Sequence, residues 1–267
     1  MAFKLPQGMS LHSIGYAALK YPDLPEELPV PLMNQLGALQ HSPVIPIQAR
    51  AMAQIASQYL PTLLEYLSSD APIINDQSSS QYYCGAAFAL TNWMTSNSDV
   101  AIRVAKEQKL FSATVDKLLL PDIEEKMKAC SRNSSETSFE SDFGGMMQFL
   151  STLLLYPEHL PTPPHPRLSE LVPKLRGWKR KYKGGFVGRV AERLADQIES
   201  PDPVSSMMVR ETQVSQLMCG YTGCSGSKDM ELCGACKLQR YCCTEHQKKD
   251  WKYHKHICNK GLVEPTG

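Results

Sequence analysis

The sequence has no long uninterrupted apolar run and no excess of charge of either sign. A membrane-spanning helix needs about 18 or more apolar residues, whereas the best candidate stretch, from Phe143 to Tyr156, has 14 and includes glycine, glutamine, serine and threonine. The 28 lysines and arginines nearly balance the 27 aspartates and glutamates, so no global field attracts nucleic acid or an anionic membrane. The first residues show no apolar segment of the kind found in signal peptides. We therefore expect an intracellular protein, cytoplasmic or nuclear or both, without a membrane segment.

Cysteine is scarce in the first 200 residues, which hold Cys84 and Cys130 and no others. Seven of the nine cysteines lie in the 40 residues from Cys219 to Cys258, together with three of the seven histidines. A disulfide framework requires an oxidising compartment. Because we expect the protein to stay inside the cell, clustered cysteines with interspersed histidines indicate metal binding instead. We interpret the two isolated cysteines as small buried apolar side chains.

Apolar residues recur every three or four positions through residues 1–200, a spacing typical of amphipathic helices. The pattern predicts one helix on each side of Pro61 between Ile45 and Leu67, and a buried central helix from Phe143 to Tyr156. It also predicts two helices separated by Gly184-Gly185. Because no alternating strand pattern of useful length appears, we expect a mainly α protein. Its N-terminal domain is either a helical bundle or an armadillo-like solenoid.

Two polar segments divide the chain. Residues Ser131 to Asp142 are rich in serine and are predicted to be a mobile loop. Residues 201–216 resemble a linker. We therefore predict three parts: a helical scaffold domain over 1–200, a linker over 201–216 and a cysteine-rich metal module over 217–260.

The chain contains one basic stretch, from Lys174 to Lys183, with Trp178 and Tyr182 among its cations. Such a stretch is also found in nuclear-import signals and nucleic-acid sites. The two aromatics share a helical face with apolar residues, however, and residues 1–200 hold 19 basic and 20 acidic side chains. We therefore interpret the basic stretch as a solvated helix face, with a nuclear-import signal as the open alternative. We expect no strong nucleic-acid binding.

The metal module contains four short pairs of candidate ligands. Two ligands that are a few residues apart can reach one tetrahedral ion from a single turn. Eight ligands complete two four-coordinate sites and leave no open position for water, which favours structural zinc over metal catalysis. A segment of this size with few bulky aliphatic residues also needs the binding energy of metal in order to fold. The pairs are Cys219 with Cys224, Cys233 with Cys236, Cys242 with His246, and His254 with Cys258.

Two neighbouring residues compete with these ligands. Cys243 adjoins Cys242, but its use would shorten the spacing to His246. His256 leaves a single residue before Cys258, which is a poor geometry for two ligands of one ion. We therefore interpret Cys243 as a free thiol and His256 as a surface histidine.

The order of these pairs, together with Tyr241, Gln247 and Trp251, resembles a MYND-type zinc finger. The resemblance implies two cross-braced Zn²⁺ ions. This sequence departs from the usual family pattern at two points. The first ligand pair has the spacing Cys-x4-Cys in place of the frequent Cys-x2-Cys, and His246 stands where the family usually has cysteine. The implied first site is Cys219, Cys224, Cys242 and His246, and the second is Cys233, Cys236, His254 and Cys258.

By the same resemblance, the finger is a protein-binding module that takes short proline-containing peptides into a shallow groove. Gln247 and Trp251 match groove-lining positions, and an exposed tryptophan face suits the ring of a proline. We expect a zinc-dependent adaptor on a helical scaffold, and no enzyme activity. The alternatives are a lysine methyltransferase of the SET-and-MYND type, a ubiquitin-ligase adaptor and a transcriptional corepressor scaffold.

Overall fold

The computed structural model of the chain describes residues 45–68, 88, 91–129, 136–162, 165–255 and 258. Most of these residues are helical, and two short strands lie near the C-terminus, so the predicted mainly α fold class is confirmed. Cys84 and Cys130, predicted to be buried, lie outside the described residues. The described elements are α1 (Ile45–Ser68), α2 (Ser98–Ala105), α3 (Gln108–Leu119), α4 (Ile123–Ala129), α5 (Glu136–Leu153), α6 (Leu171–Lys181), α7 (Phe186–Glu199), α8 (Pro203–Ser215), β1 (Glu231–Leu232), β2 (Arg240–Tyr241) and α9 (Thr244–His254).

Helix α1 continues through Pro61, so the prediction of two helices separated at this proline is wrong. A proline inside a helix removes a backbone hydrogen bond and costs about 3 kcal/mol. Burying a leucine side chain contributes about 1.5–3 kcal/mol, and four leucines lie on the buried face on both sides of the proline. Their burial outweighs the cost of the proline. The four are Leu60, Leu63, Leu64 and Leu67, each at most 5% exposed.

Helix α5 begins at Glu136, so the predicted loop from Ser131 to Asp142 is wrong over its second half. Phe139 stacks on Phe143, with the ring centroids 5.4 Å apart. Phe143 in turn meets the edge of Trp178 at 4.8 Å. These aromatic contacts pack the first turns of α5, which are otherwise mostly polar, against α6. The predicted buried position of the following apolar segment is confirmed up to Leu153, but the predicted end at Tyr156 is wrong, because α5 ends at Leu153 and Leu154 and Leu155 are half-buried. The fully buried large side chains of this segment are Phe143, Met146, Met147, Phe149, Leu150 and Leu153.

Helices α6 and α7 pack against each other and are separated at Gly184-Gly185, as the sequence predicts. Gly188 lies close to the C-terminal end of α6, since a Cβ atom there would lie 2.2 Å from the carbonyl oxygen of Tyr182. Helix α7 also packs along α5. The hairpin of α6 and α7 therefore covers one side of the central helix.

Cations of the basic stretch pair with groups inside the helical region. Arg176 contacts both Asp196 and Glu199 on α7. The Lys174 ammonium donates to the carbonyl oxygens of Leu118 (2.9 Å) and Leu120 (2.6 Å) at the C-terminal end of α3. The Arg176 contacts join the two helices of the hairpin, and the Lys174 contacts join the hairpin to α3, so both cations have a structural role.

Residues 203–215, inside the predicted linker, form helix α8. The Asp202 carboxylate caps the helix by accepting from the N–H groups of Val204 and Ser205. Gln213 accepts a hydrogen bond from the Tyr156 hydroxyl at 3.0 Å. None of the residues of α8 is buried, so caps and side-chain contacts hold it in place.

A single buried apolar cluster extends from the helices into the cysteine-rich segment. It includes Met52 and Ala56 of α1 and continues to Leu238 and Tyr241. The boundary predicted at residue 217 therefore falls within a region that shares one core. Among the described residues, no helix combines the length and the apolar character that a membrane crossing requires.

Candidate metal centre

The first candidate cluster contains Cys219, Cys224, Cys242 and His246. Cys219 and Cys224 lie in the loop that follows α8, Cys242 follows strand β2, and His246 lies in the first turn of α9. The Cys219 Sγ atom is 3.8 Å from His246 Nδ1, and Cys224 Sγ is 3.8 Å from Cys242 Sγ. The distance from Cys242 Sγ to His246 Nδ1 is 3.1 Å.

The second candidate cluster contains Cys233, Cys236, His254 and Cys258. Cys233 follows strand β1 directly, and Cys236 lies in the turn before β2, next to Lys237 at φ 56°. His254 is the last residue of α9. The Cys233 and Cys258 sulfurs are 3.9 Å apart, and Cys236 Sγ lies 3.5 Å from His254 Nε2.

The two clusters alternate along the chain and share the same supporting elements. The antiparallel hairpin pairs Glu231 with Tyr241 and Leu232 with Arg240, which places the start of β1 beside the residue that precedes Cys242. Helix α9 contributes one histidine to each cluster from its two ends. The structure thus brings together the eight predicted ligands in the two cross-braced sets that the resemblance implies.

The geometry of both clusters fits zinc. A tetrahedral site with Zn–S near 2.3 Å and Zn–N near 2.0–2.1 Å separates its ligand atoms by about 3.5–3.8 Å. The measured separations of 3.1–3.9 Å centre on this range, and in each cluster all four donor atoms lie within 4.8 Å of one another. Three sulfurs and one imidazole nitrogen are one of the usual donor sets of structural Zn²⁺ sites. Each cluster can therefore bind one zinc ion.

In each cluster, one thiol ionises readily and opposes the ionisation of its neighbours. The hydrogen bond between Cys233 and Cys236 lowers the pKa of Cys233 and, together with burial, raises the pKa of Cys236. Burial and the neighbouring Cys233 raise the pKa of Cys258 to about 11. Desolvation and Cys224 raise the pKa of Cys242 to about 12. A divalent cation removes this conflict because it stabilises all the thiolates together.

Two apolar residues of the finger lie beside the metal ligands and belong to the core that the finger shares with the helices. Leu238 and Tyr241 are 1% and 3% exposed. The Tyr241 hydroxyl donates to Asp250 Oδ2 at 2.7 Å, so the buried polar ends of both side chains are satisfied. Burial raises the pKa of Asp250, although this hydrogen bond acts in the opposite direction. Strand β2 and helix α9 are thereby joined between the two clusters.

Other residues named in the sequence analysis have distinct positions. Cys243 is exposed and belongs to neither cluster, and His256 lies outside the described residues. Gln247 is half-buried, and Trp251, one turn further along α9, is 40% exposed. The Trp251 indole meets the His254 ring edge at a centroid distance of 5.9 Å.

Polar side chains of the helical region also contact the finger, and no pattern in the sequence predicts these contacts. Arg50 and Ser57 lie on α1, and Asp99 lies in the first turn of α2. The Arg240 guanidinium binds both Asp99 carboxylate oxygens, at 2.6 and 2.7 Å. Burial lowers the pKa of Arg50, while nearby Cys219 raises it. No local motif marks these residues, because their partners lie at least 141 residues away in the sequence.

Comparison with known proteins agrees with this geometry. The sequence profile of the MYND finger family matches residues 218–258. Egl nine homolog 1 of Mus musculus is 45% identical over 38 residues, which are 14% of this chain and 10% of that protein. The Homo sapiens protein of the same name is 43% identical over 35 residues, 13% of this chain and 8% of that protein.

The chain thus spans about a tenth or less of the length of the curated relatives that it matches. No solved structure gives a significant match. The family match and the two cysteine–histidine clusters fall on the same segment. The chain therefore carries a C-terminal MYND-type zinc finger, a zinc-binding protein-interaction module, on a mostly helical region.

Proposed function

We propose that the finger docks a proline-containing segment of a partner protein on the surface around Trp251, and that the chain acts as an adaptor. The exposure of Trp251 carries this proposal. Its indole is 40% exposed, although large aromatic side chains usually contribute to protein cores. Tyr241 and Leu238 supply the buried core of the finger, so Trp251 is available to a ligand.

Helix α9 supports the role of Gln247 as a second contact. Residues four positions apart lie on the same face of a helix, so Gln247 lies beside Trp251. A proline ring packs well on an exposed indole, and an amide side chain can bond to the peptide backbone next to it. An extended proline-rich segment also loses little conformational entropy on binding.

An adaptor without catalysis agrees with the closed donor sets. Four protein ligands complete a tetrahedral zinc site and leave no position for a reacting water or substrate. The methyltransferase, ligase-adaptor and corepressor alternatives remain predictions, and no contact among the described residues favours any of them.

Binding to a peptide array tests the proposal. The zinc-loaded full chain is applied to immobilised decapeptides with proline fixed at the centre and to a matched array with alanine there. We expect binding to the proline array, and Trp251→Ala should weaken it by at least about tenfold, since a central aromatic anchor contributes about 2 kcal/mol or more.

Met208→Ala is the matched control, because Met208 is an exposed apolar side chain outside the finger, on α8. This variant should bind as the wild type does. Equal binding to both arrays, or unchanged binding of Trp251→Ala, would contradict the proposed groove.

A further inference from the structure

Arg50 of α1 contacts the backbone that carries the first cluster. Its Nη1 atom donates to the carbonyl oxygens of Cys219 (3.3 Å), Tyr221 (3.3 Å) and Cys224 (3.4 Å). Two of these carbonyls belong to metal ligands. The guanidinium therefore holds the loop of the first cluster in its ligating shape and places a positive charge beside its thiols.

Ser57 lies seven residues, or about two turns, further along α1 and contacts the second cluster. Its hydroxyl lies 2.7 Å from the carbonyl oxygen of Ala53 and 3.5 Å from Cys236 Sγ. Ser57 and Cys236 are both fully buried. When Cys236 is a thiolate, its negative charge makes it the stronger acceptor for the single hydroxyl proton.

Other contacts fix α1 in this position. The side chain of Asn97 donates to the carbonyl oxygen of Ala49 at 2.9 Å and also caps α2. Asp99, two residues later, forms the ion pair with Arg240 of strand β2. Helix α1 is thus tied to α2, and α2 is tied to the finger between the two clusters.

We propose that Arg50 and Ser57 are outer-sphere positioning residues of the two zinc sites, Arg50 for the first site and Ser57 for the second. The helical region then completes the metal sites, and a finger without α1 would hold zinc less tightly. Outer-sphere hydrogen bonds orient metal ligands, and their loss typically reduces metal affinity by about 10–100-fold. This inference goes beyond peptide docking and does not depend on it.

Zinc release from the full chain tests this inference. The zinc-loaded protein is mixed with an excess of a chromogenic chelator, and the release of each metal equivalent is followed with time. Ser57→Ala and Arg50→Gln should each accelerate the release of one of two equivalents by about tenfold or more. Ser57→Ala preserves α1, since alanine is the better helix former.

Pulsed alkylation with N-ethylmaleimide, followed by peptide mapping, identifies the site that opens. Among the cysteines of the two clusters, Cys233 and Cys236 should be labelled first in Ser57→Ala, and Cys219 and Cys224 first in Arg50→Gln. Cys243, which is exposed and belongs to neither cluster, should be labelled early in every variant. If Arg50→Gln loses its helical circular dichroism signal, Arg50→Lys, which keeps the charge but loses the guanidinium fork, replaces it.

Ser205→Ala and Arg176→Gln are matched controls, because both side chains bond to carboxylates of the helical region. Both should release zinc at the wild-type rate. Release and labelling within twofold of wild type in both test variants would overturn the inference. The assay contains no peptide, so its failure is distinguishable from failure of the proposed docking function.

Discussion

The Asp99–Arg240 ion pair joins the helices to the finger through two short hydrogen bonds. The Asp99 side chain is 6% exposed and that of Arg240 is 29% exposed, so both charges are largely removed from water. The hydrogen bond from Arg240 is bidentate, which is the most favourable geometry for such a pair. Removal of one partner lowers the stability of the protein, because the other partner is left buried without a counter-charge.

We predict that Asp99→Asn lowers the free energy of unfolding by about 2–3 kcal/mol, because Arg240 keeps its charge and loses its partner. Urea unfolding followed by circular dichroism measures the change. Asp196→Asn is the control, since this carboxylate pairs with Arg176 but is 59% exposed, and exposed pairs contribute about 1 kcal/mol or less. Equal decreases in the free energy of unfolding of both variants would contradict a larger contribution from the Asp99–Arg240 pair.

Glu124 leads to a prediction about pH. Burial raises the pKa of Glu124, but hydrogen bonds from Lys181, Tyr182 and Lys128 outweigh burial and lower it to about 2. The stabilisation is therefore fully present above the unfolded-state pKa, near 4.5, and is lost as the pH falls toward 2. We expect Glu124→Gln to unfold more easily than wild type at pH 7, by about 1 kcal/mol after solvent screening.

This difference between wild type and Glu124→Gln should narrow between pH 4.5 and pH 2. Denaturant titrations of both proteins at several pH values measure it. A difference that stays constant across this range would exclude the Glu124 charge as its source.

The sequence predicts metal ligands better than the residues that support them. The pairs of the finger are local, so spacing alone indicates Cys233 with Cys236, and the family resemblance implies the cross-bracing. Ser57 and Arg50 are ordinary polar residues on a helix, and the fold alone brings them to the finger. Whether Gln247 and Trp251 bind a peptide stays a prediction.

At the scale of the elements, the close packing of α6 against α7 predicts opposite effects on stability for alanine substitutions at two glycines. A Cβ atom at Gly188 would meet the Tyr182 carbonyl oxygen at 2.2 Å, whereas nothing lies within 4 Å of a Cβ atom at Gly177. Both residues lie inside helices, where alanine is intrinsically favoured by about 1 kcal/mol. The space around each glycine therefore decides whether its substitution by alanine raises or lowers the free energy of unfolding.

We predict that Gly188→Ala lowers the free energy of unfolding by about 2 kcal/mol, because the two helices must separate. Gly177→Ala should raise it by about 1 kcal/mol. Thermal unfolding of the two variants beside the wild type provides the comparison. A change in the free energy of unfolding that has the same sign in both variants would contradict the close contact between α6 and α7.

Periodicity identifies the helices but not their ends. It correctly separates α6 from α7 at Gly184-Gly185, because the two glycines interrupt the helical pattern of the sequence and lie between the two helices in the structure. It fails at Pro61, where burial of leucines outweighs a local helix breaker. It also fails at Glu136, where aromatic contacts with α6 stabilise a polar helix start, because both outcomes depend on tertiary packing.

At the scale of the whole molecule, the helical region and the finger share one apolar core. Residues of α1 continue into a cluster that contains Cys233, Cys236 and Tyr241. Composition divides the chain near residue 217, because the cysteines begin there, but composition carries no information on which surfaces pack together. The proposed docking surface around Trp251 consequently lies on a metal-binding segment that packs against the helical region.

The zinc content of the purified full chain, measured by native mass spectrometry, tests the central claim most directly. The account predicts two zinc ions per chain, and removal by a chelator should expose the thiols of both clusters to alkylation. A chain that retains fewer than two zinc ions when purified in zinc-containing buffer, or whose cluster thiols react equally with and without zinc, would contradict it.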